Sequence, residues 1–210
     1  MTTPSWDSSY TGESPPPWDI GRPQPVFARL ADEGLLSGRL LDAGCGTGEQ
    51  VLLAASHGAD ATGIDISPHA IEKARAKAAA RGLAARFDVG DALALSELGT
   101  SYDTIVDSGL FHVFADDDRA RYVASLASVL DPGGYCYLAC FSDRQPGDGG
   151  PRRVREDELR TAFSDGWAVD SITPAEFDLV PGRFGPDLGV DAGAGQHWTA
   201  HAWLAIFRRI

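Results

Sequence analysis

Several things are scarce in this sequence of 210 residues. It has only three cysteines, an odd number without metal-ligand spacing, which argues against a disulfide framework and against a zinc site. Few cysteines and no disulfide pattern point to a reduced, cytoplasmic protein. No apolar run approaches the roughly 20 residues that cross a bilayer, so no membrane partner is expected. The N-terminal 17 residues are polar and rich in Pro and Ser, without the apolar centre of a signal peptide. Positive charge is also in deficit. The formal net charge is −12, which repels phosphate backbones and anionic surfaces and excludes nucleic acid as an expected partner. Nothing repeats internally, and the length suits one domain with a sizeable core.

What is present is an alternation of apolar runs and amphipathic segments. Strands are expected at residues 40–43, 60–66, 84–89, 103–107 and 135–141. Helices are expected at 25–33, 49–57, 68–82 and 117–130, where Tyr122, Val123, Leu126, Val129 and Leu130 fall on one face. Ser67 followed by Pro68 is a helix start, since proline at the first position forfeits no hydrogen bond. After a Gly/Asp/Pro-rich loop at 142–151 come a short helix at 156–163 and two late strands, 167–172 and 198–207. The Gly/Pro-rich run 181–195 reads as their connection. This pattern predicts an α/β fold with a doubly wound, seven-stranded sheet, mostly parallel, closed by a C-terminal antiparallel hairpin. Residues 1–24 are expected to form a flap or lid, with Trp6 and Tyr10 able to dock, and 25–210 a single domain.

The sequence is organised around Leu40-Leu41-Asp42-Ala43-Gly44-Cys45-Gly46-Thr47-Gly48. Glycines at the carboxyl end of a buried strand let a ligand lie against bare backbone. No Lys-Ser or Lys-Thr pair follows, which excludes a P-loop. Glu49 stands where a dinucleotide fingerprint requires its third glycine. Asp65 ends the second strand at the distance from the loop suited to a ribose. Asp91 ends the third, near an expected adenine amino group, and Asp42 suits a ligand end that carries positive charge. Together these positions describe a nucleoside with an amino-acid tail.

Those residues, with Gly63-Ile64-Asp65-Ile66-Ser67, Gly90-Asp91-Ala92 and Leu130-Asp131-Pro132-Gly133-Gly134, resemble the ordered motifs of class I S-adenosylmethionine-dependent methyltransferases over residues 22–207. The resemblance implies S-adenosylmethionine as cofactor. It places Gly44, Cys45, Gly46, Thr47 and Gly48 against the methionine part, Asp65 at the ribose, and Asp91 and Ala92 at the adenine, with Ile66 also in the cofactor site. Trp18 and Asp107 complete the expected cofactor site.

Pro17-Trp18-Asp19-Ile20-Gly21-Arg22-Pro23 is similar to the N-terminal signature of thiol, halide and thiopurine S-methyltransferases, and the 108–114 stretch resembles bacterial members of that group. This implies a segment covering the cofactor, with Asp19 and Arg22 as anchors. The expected acceptor pocket comprises Trp18, Phe111, His112, Phe114, Phe141 and Arg152. His112 is the candidate catalytic base, since imidazole titrates near neutrality; a structural histidine bonded to backbone is the other reading. Without a convincing base, a thiol, whose pKa is about 8.5, is the favoured small-molecule acceptor. O- or N-methylation of an aromatic quinol or phenol is the alternative, and a catalytically inactive cofactor-binding protein a remote one. Monomer and homodimer both remain open.

Overall fold

A computed structural model describes residues 6–12, 14–181, 188 and 198–210. The expected connection at 181–195 lies almost wholly outside those residues. Seven strands form one sheet in the order β3-β2-β1-β4-β5-β7-β6. They are β1 (Arg39–Ala43), β2 (Asp60–Asp65), β3 (Arg86–Val89), β4 (Tyr102–Ser108), β5 (Leu130–Phe141), β6 (Trp167–Leu179) and β7 (Trp198–Arg209). The first five are mutually parallel, while β7 runs antiparallel to both β5 and β6. The helices are α1 (Pro25–Asp32), α2 (Glu49–Ser56), α3 (Pro68–Arg81), α4 (Asp116–Val129) and α5 (Glu156–Ala162).

Parallel strands covered on both faces must be apolar on both, and β1 is. Leu40 packs with Val26, Phe27, Val51 and Ile71 of α1, α2 and α3 on one side. Leu41 packs with Tyr122, Leu126 and Leu159 of α4 and α5 on the other. Ser67 caps α3, its hydroxyl accepting from the Ala70 amide at 3.1 Å.

Three features differ from the sequence expectation. A 3-10 segment, Ala92–Leu98, fills the gap between β3 and β4. The Pro132-Gly133-Gly134 turn is absorbed into β5, which pairs with β4 from Leu130 and then shifts register. Strand β6 runs through Pro174 to Leu179 instead of stopping at Ile172. Proline is tolerated because β6 is the last strand of the sheet, with β7 on one side only.

Strand order reverses at β1, whose neighbours are β2 and β4. A crevice therefore opens beyond the carboxyl ends of β1 and β4, where α/β sheets bind ligands. The glycine loop leaves β1 here, and its Cys45 amide donates to the Ile64 carbonyl at 2.8 Å. The Cys45 side chain turns down onto β2. A β-carbon added at Gly63 would stand 2.8 Å from both Cys45 Sγ and Val51 Cγ2, so the loop sits flush on the sheet only over glycine. Gly63→Ala should lose about 1–3 kcal/mol through overpacking, read as a lowered melting temperature in thermal unfolding.

Candidate functional site

The glycine loop is a tight turn into α2. Gly48 has φ +86°, and a β-carbon there would lie 2.6 Å from the Phe87 ring, so both its conformation and its surroundings require glycine. The next residue, Glu49, is buried and bound to Lys77 (2.8 Å) and bidentately to Arg81 (2.8 Å each). Two cations from α3 thus clamp the position that a dinucleotide fold reserves for a third glycine.

Asp65 ends β2 and ties two turns together. One carboxylate oxygen accepts from the Gly46 amide at 2.8 Å and the other from the Ser67 amide at 2.9 Å. Burial raises its pKa, against the lowering effect of those two amides. Asp42 is different. It is buried, and neither carboxylate oxygen has a hydrogen-bond partner among the described residues. Desolvation, then the nearby Asp107 and Asp65, push its pKa well above the carboxylate range. A buried, unpaired carboxylate is costly, and a cationic ligand group would relieve that cost. The donor set therefore fits a ligand with an ammonium end over the glycine loop. Asp91 caps the 3-10 segment, accepting from the Leu93 amide at 2.9 Å.

One cleft gathers most of the expected residues. Trp18, Asp42, Gly44, Cys45, Gly46, Thr47, Gly48, Asp65, Ile66, Asp91 and Ala92 line it, as do His112, Phe114 and Phe141. Asp107, Phe111 and Arg152 are not in its wall. Asp107 lies fully buried beneath, accepting from the Leu110 and Phe111 amides (2.7 and 3.0 Å) and the Tyr122 hydroxyl (3.0 Å). Burial carries its pKa to about 7 even though each of these donors pulls it down, so its work is to hold the 108–111 turn. Phe111 points into the second core against Phe163, with Arg119 over its face. Arg152 is engaged by Asp116 and Glu158.

The N-terminal segment crosses the top of this cleft. Asp7 accepts from Ser67 Oγ (2.7 Å), the His69 amide (3.1 Å) and His69 Nδ1 (2.8 Å), joining a short 3-10 turn, Trp6–Tyr10, to the start of α3. Tyr10 is buried, and its hydroxyl would stand 3.0 Å from a β-carbon on Gly46. Trp18 donates to that hydroxyl at 3.1 Å. Thr47 donates to Asp19 at 2.9 Å, and Arg22 meets Asp178 of β6 at 2.6 Å. Gln24 exchanges two bonds with the Asp178 backbone, and Val180 donates to the Pro17 carbonyl.

His112 lines the cleft and is buried in a cluster with the Phe141 and Phe177 rings, at centroid distances of 5.0 and 6.4 Å. Its Nδ1 accepts from the Phe141 amide at 3.0 Å. The lone pair is thereby occupied, and the neutral ring carries its proton on Nε2. Burial, then Arg119 and Arg153, lower its pKa to about 3. A ring in that tautomer presents a donor at Nε2.

Sequence reasoning missed Phe177, Asp178 and Leu179 in the wall. Pro174 hid the second half of β6, and Phe177 alternating with Leu179 beyond it was the available signal.

Comparison with known proteins gives the family. A family model described as a methyltransferase domain matches residues 40–134. The chain is 39% identical over 210 residues to the 2-heptyl-1-hydroxyquinolin-4(1H)-one methyltransferase of Mycobacteroides abscessus, spanning 96% of this chain and 92% of that protein. It is 30% identical over 188 residues to the probable thiol methyltransferase 2 of Arabidopsis thaliana, spanning 88% of this chain and 81% of that one. A solved structure from work on conversion of a disulfide bond into a thioacetal group during echinomycin biosynthesis shares 40% identity at a TM-score of 0.83, covering 97% of this chain and 91% of that one. With the glycine loop, the acidic strand ends and the sheet order in place, the chain belongs to the class I S-adenosylmethionine-dependent methyltransferases.

Proposed function

We propose that this enzyme methylates an oxygen or nitrogen of a small aromatic metabolite, of the quinol, phenol or hydroxyquinolone type. The observation that carries this reading is the acceptor end of the cleft, walled by His112, Phe114, Phe141 and Phe177. Lined by aromatic side chains, it suits a planar ring held by offset or edge contacts. The similarity of nearly the whole chain to a hydroxyquinolinone methyltransferase supports it. A thiol acceptor is the second reading. It is favoured by the similarity to a probable thiol methyltransferase and by the absence of a proton acceptor at His112.

S-adenosylmethionine supplies an electrophilic methyl group on a sulfonium sulfur. Every other part of the reaction falls to the chain. In this reading Asp42 holds the amino-acid ammonium, the 44–48 backbone cradles the tail, and Asp65 receives the ribose hydroxyls through the lone pairs its two amide bonds leave free. Ile66, Asp91 and Ala92 border the base. Residues 6–24 act as a lid that excludes water, with Asp7, Asp19 and Arg22 as its fastenings. Alignment of the acceptor with the methyl group, in a dry cleft, is then the main source of acceleration.

Asp42 generates a test with a defined sign. Its folded-state pKa is raised, so its contribution to stability is present at low pH and lost as pH rises through that value. Asp42→Asn removes the loss. The cofactor-free variant should melt higher than wild type at pH 8, with a smaller gain at pH 5. Its affinity for S-adenosylmethionine should fall by roughly tenfold or more, the worth of a charge-assisted contact, measured by titration calorimetry.

Acceptor class is tested by following S-adenosylhomocysteine release with hydroxyquinolones, quinols, phenols, aromatic amines and simple thiols. Aromatic hydroxyl or amine turnover is expected. Turnover of thiols alone would overturn the reading.

A further inference from the structure

We propose that His112 selects aromatic acceptors that arrive already deprotonated, by donating its Nε2 hydrogen to an oxygen of the acceptor's delocalised anion. The inference rests on the reading of the acceptor as an aromatic hydroxyl. It begins from the 3.0 Å bond in which the Phe141 amide donates to Nδ1. That amide is part of β5, whose Phe141 pairs with Ala202 of β7, so the donor cannot turn away to release the ring. The tautomer is thus set by the sheet.

Nε2 has no hydrogen-bond partner among the described residues. It lies 3.6 Å from the position of a β-carbon on Gly109, a residue that also lines the cleft. A larger residue at 109 would stand against the ring edge. Glycine leaves that edge open to a ligand.

The charges around the ring agree with a donor and disfavour an acceptor of protons. Arg119 of α4 and Arg153 of the segment before α5 both act against protonation, and burial acts more strongly than either. The ring packs against Phe141 of β5, tilted at 46°, and edge-on to Phe177 of β6, neither of which titrates. Arg22 and Asp178 line the same cleft and pair with each other. The cleft wall here therefore combines aromatic side chains with a fixed neutral donor, while Arg119 lies outside the wall, paired with Glu158. Such a site favours an anion whose charge is spread over a ring.

The chemistry balances without a base. The hydroxyl loses its proton to solvent before binding. One oxygen lone pair of the bound anion forms the new bond to the methyl carbon, and the carbon–sulfur bond breaks with its electron pair remaining on sulfur. Anion and sulfonium are both neutralised in the step. The bond to Nε2 occupies a different lone pair, or the conjugated oxygen of the same anion, and fixes the ring's orientation. Weakly acidic phenols, with pKa near 10, are then poor acceptors near neutrality, and strongly conjugated hydroxyls are good ones.

The test is the pH dependence of kcat/KM for a graded set of acceptors, namely phenol and its chloro-, cyano- and nitro-substituted forms together with 1-hydroxyquinolin-4-one. This parameter reports ionisations of the free reactants. The expected result is a profile that rises and levels at each acceptor's own ionisation constant. A rise at one common pH for every acceptor would reveal a base on the enzyme and overturn the proposal. His112→Asn supplies the second arm, since its amide oxygen can still accept from Phe141 while the outer donor is gone. The plateau should fall roughly ten- to a hundredfold, the worth of a hydrogen bond to a charged group, with the break still at the acceptor's constant and S-adenosylmethionine binding retained. A plateau within twofold of wild type, or a displaced break, contradicts the assignment. If His112→Asn does not fold, the wild-type acceptor series decides alone. If no aromatic hydroxyl is methylated while thiols are, the acceptor reading itself fails, an outcome distinct from a common pH break.

Discussion

Two crossover turns of this fold are joined by one carboxylate. Asp65 takes the Gly46 amide on one oxygen and the Ser67 amide on the other, so the loop after β1 and the start of α3 keep a fixed spacing. The helix that begins there supplies Lys77 and Arg81 to Glu49, which holds the first turn of α2 in its turn. The N-terminal segment then builds on the same corner, with Asp7 on the Ser67 hydroxyl. Cradle, helix and covering segment are therefore one connected polar lattice resting on the ends of β1 and β2. Glu49 and Asp65 are its buried members, and charge-assisted bonds to buried carboxylates are stronger than those of a solvent-exposed pair.

The acids near the cleft divide by what satisfies them. Glu49 is matched by cations, and its pKa is held low against the burial that would raise it. Asp107 is matched by two amides and a phenol, and does the work of a turn. Asp42 alone of these has neither among the described residues. Folding has left a local deficit of positive charge beside the glycine loop. Stability is given up there, as strained or unsatisfied groups at functional sites commonly require.

The sheet and the cofactor end were legible because their signals are local. Three glycines after a buried strand, a Ser-Pro helix start and acids at successive strand ends are all read within a few residues. The acceptor end is assembled from residues distant in sequence. Phe111 and Phe114 are three apart on a 3-10 turn, yet Phe111 turns inward to Phe163 and Phe114 toward the cleft. No periodicity distinguishes them. The role of His112 depends on an amide 29 residues away, and the loss of Arg152 to Asp116 and Glu158 depends on the docking of α4 beside α5. The thiol reading drew on the N-terminal signature, a short local motif, whereas the hydroxyquinolinone relative favours the aromatic alternative.

Pro174 has an effect beyond the strand that contains it. Strand β6, 13 residues long, is the outer edge of the sheet, and an edge of that length offers a template on which another chain can pair. A proline near its middle has no backbone N–H to offer a pairing chain, and the bulge between Val169 and Ser171 breaks the register nearby. These are devices by which natural sheets resist edge-to-edge aggregation. The opposite edge, β3, is only four residues long and flanks its single buried side chain with Arg86 and Asp88. Both margins of the sheet, among the described residues, thus carry features that disfavour pairing with another strand, including the long strand that supplies Phe177 to the cleft.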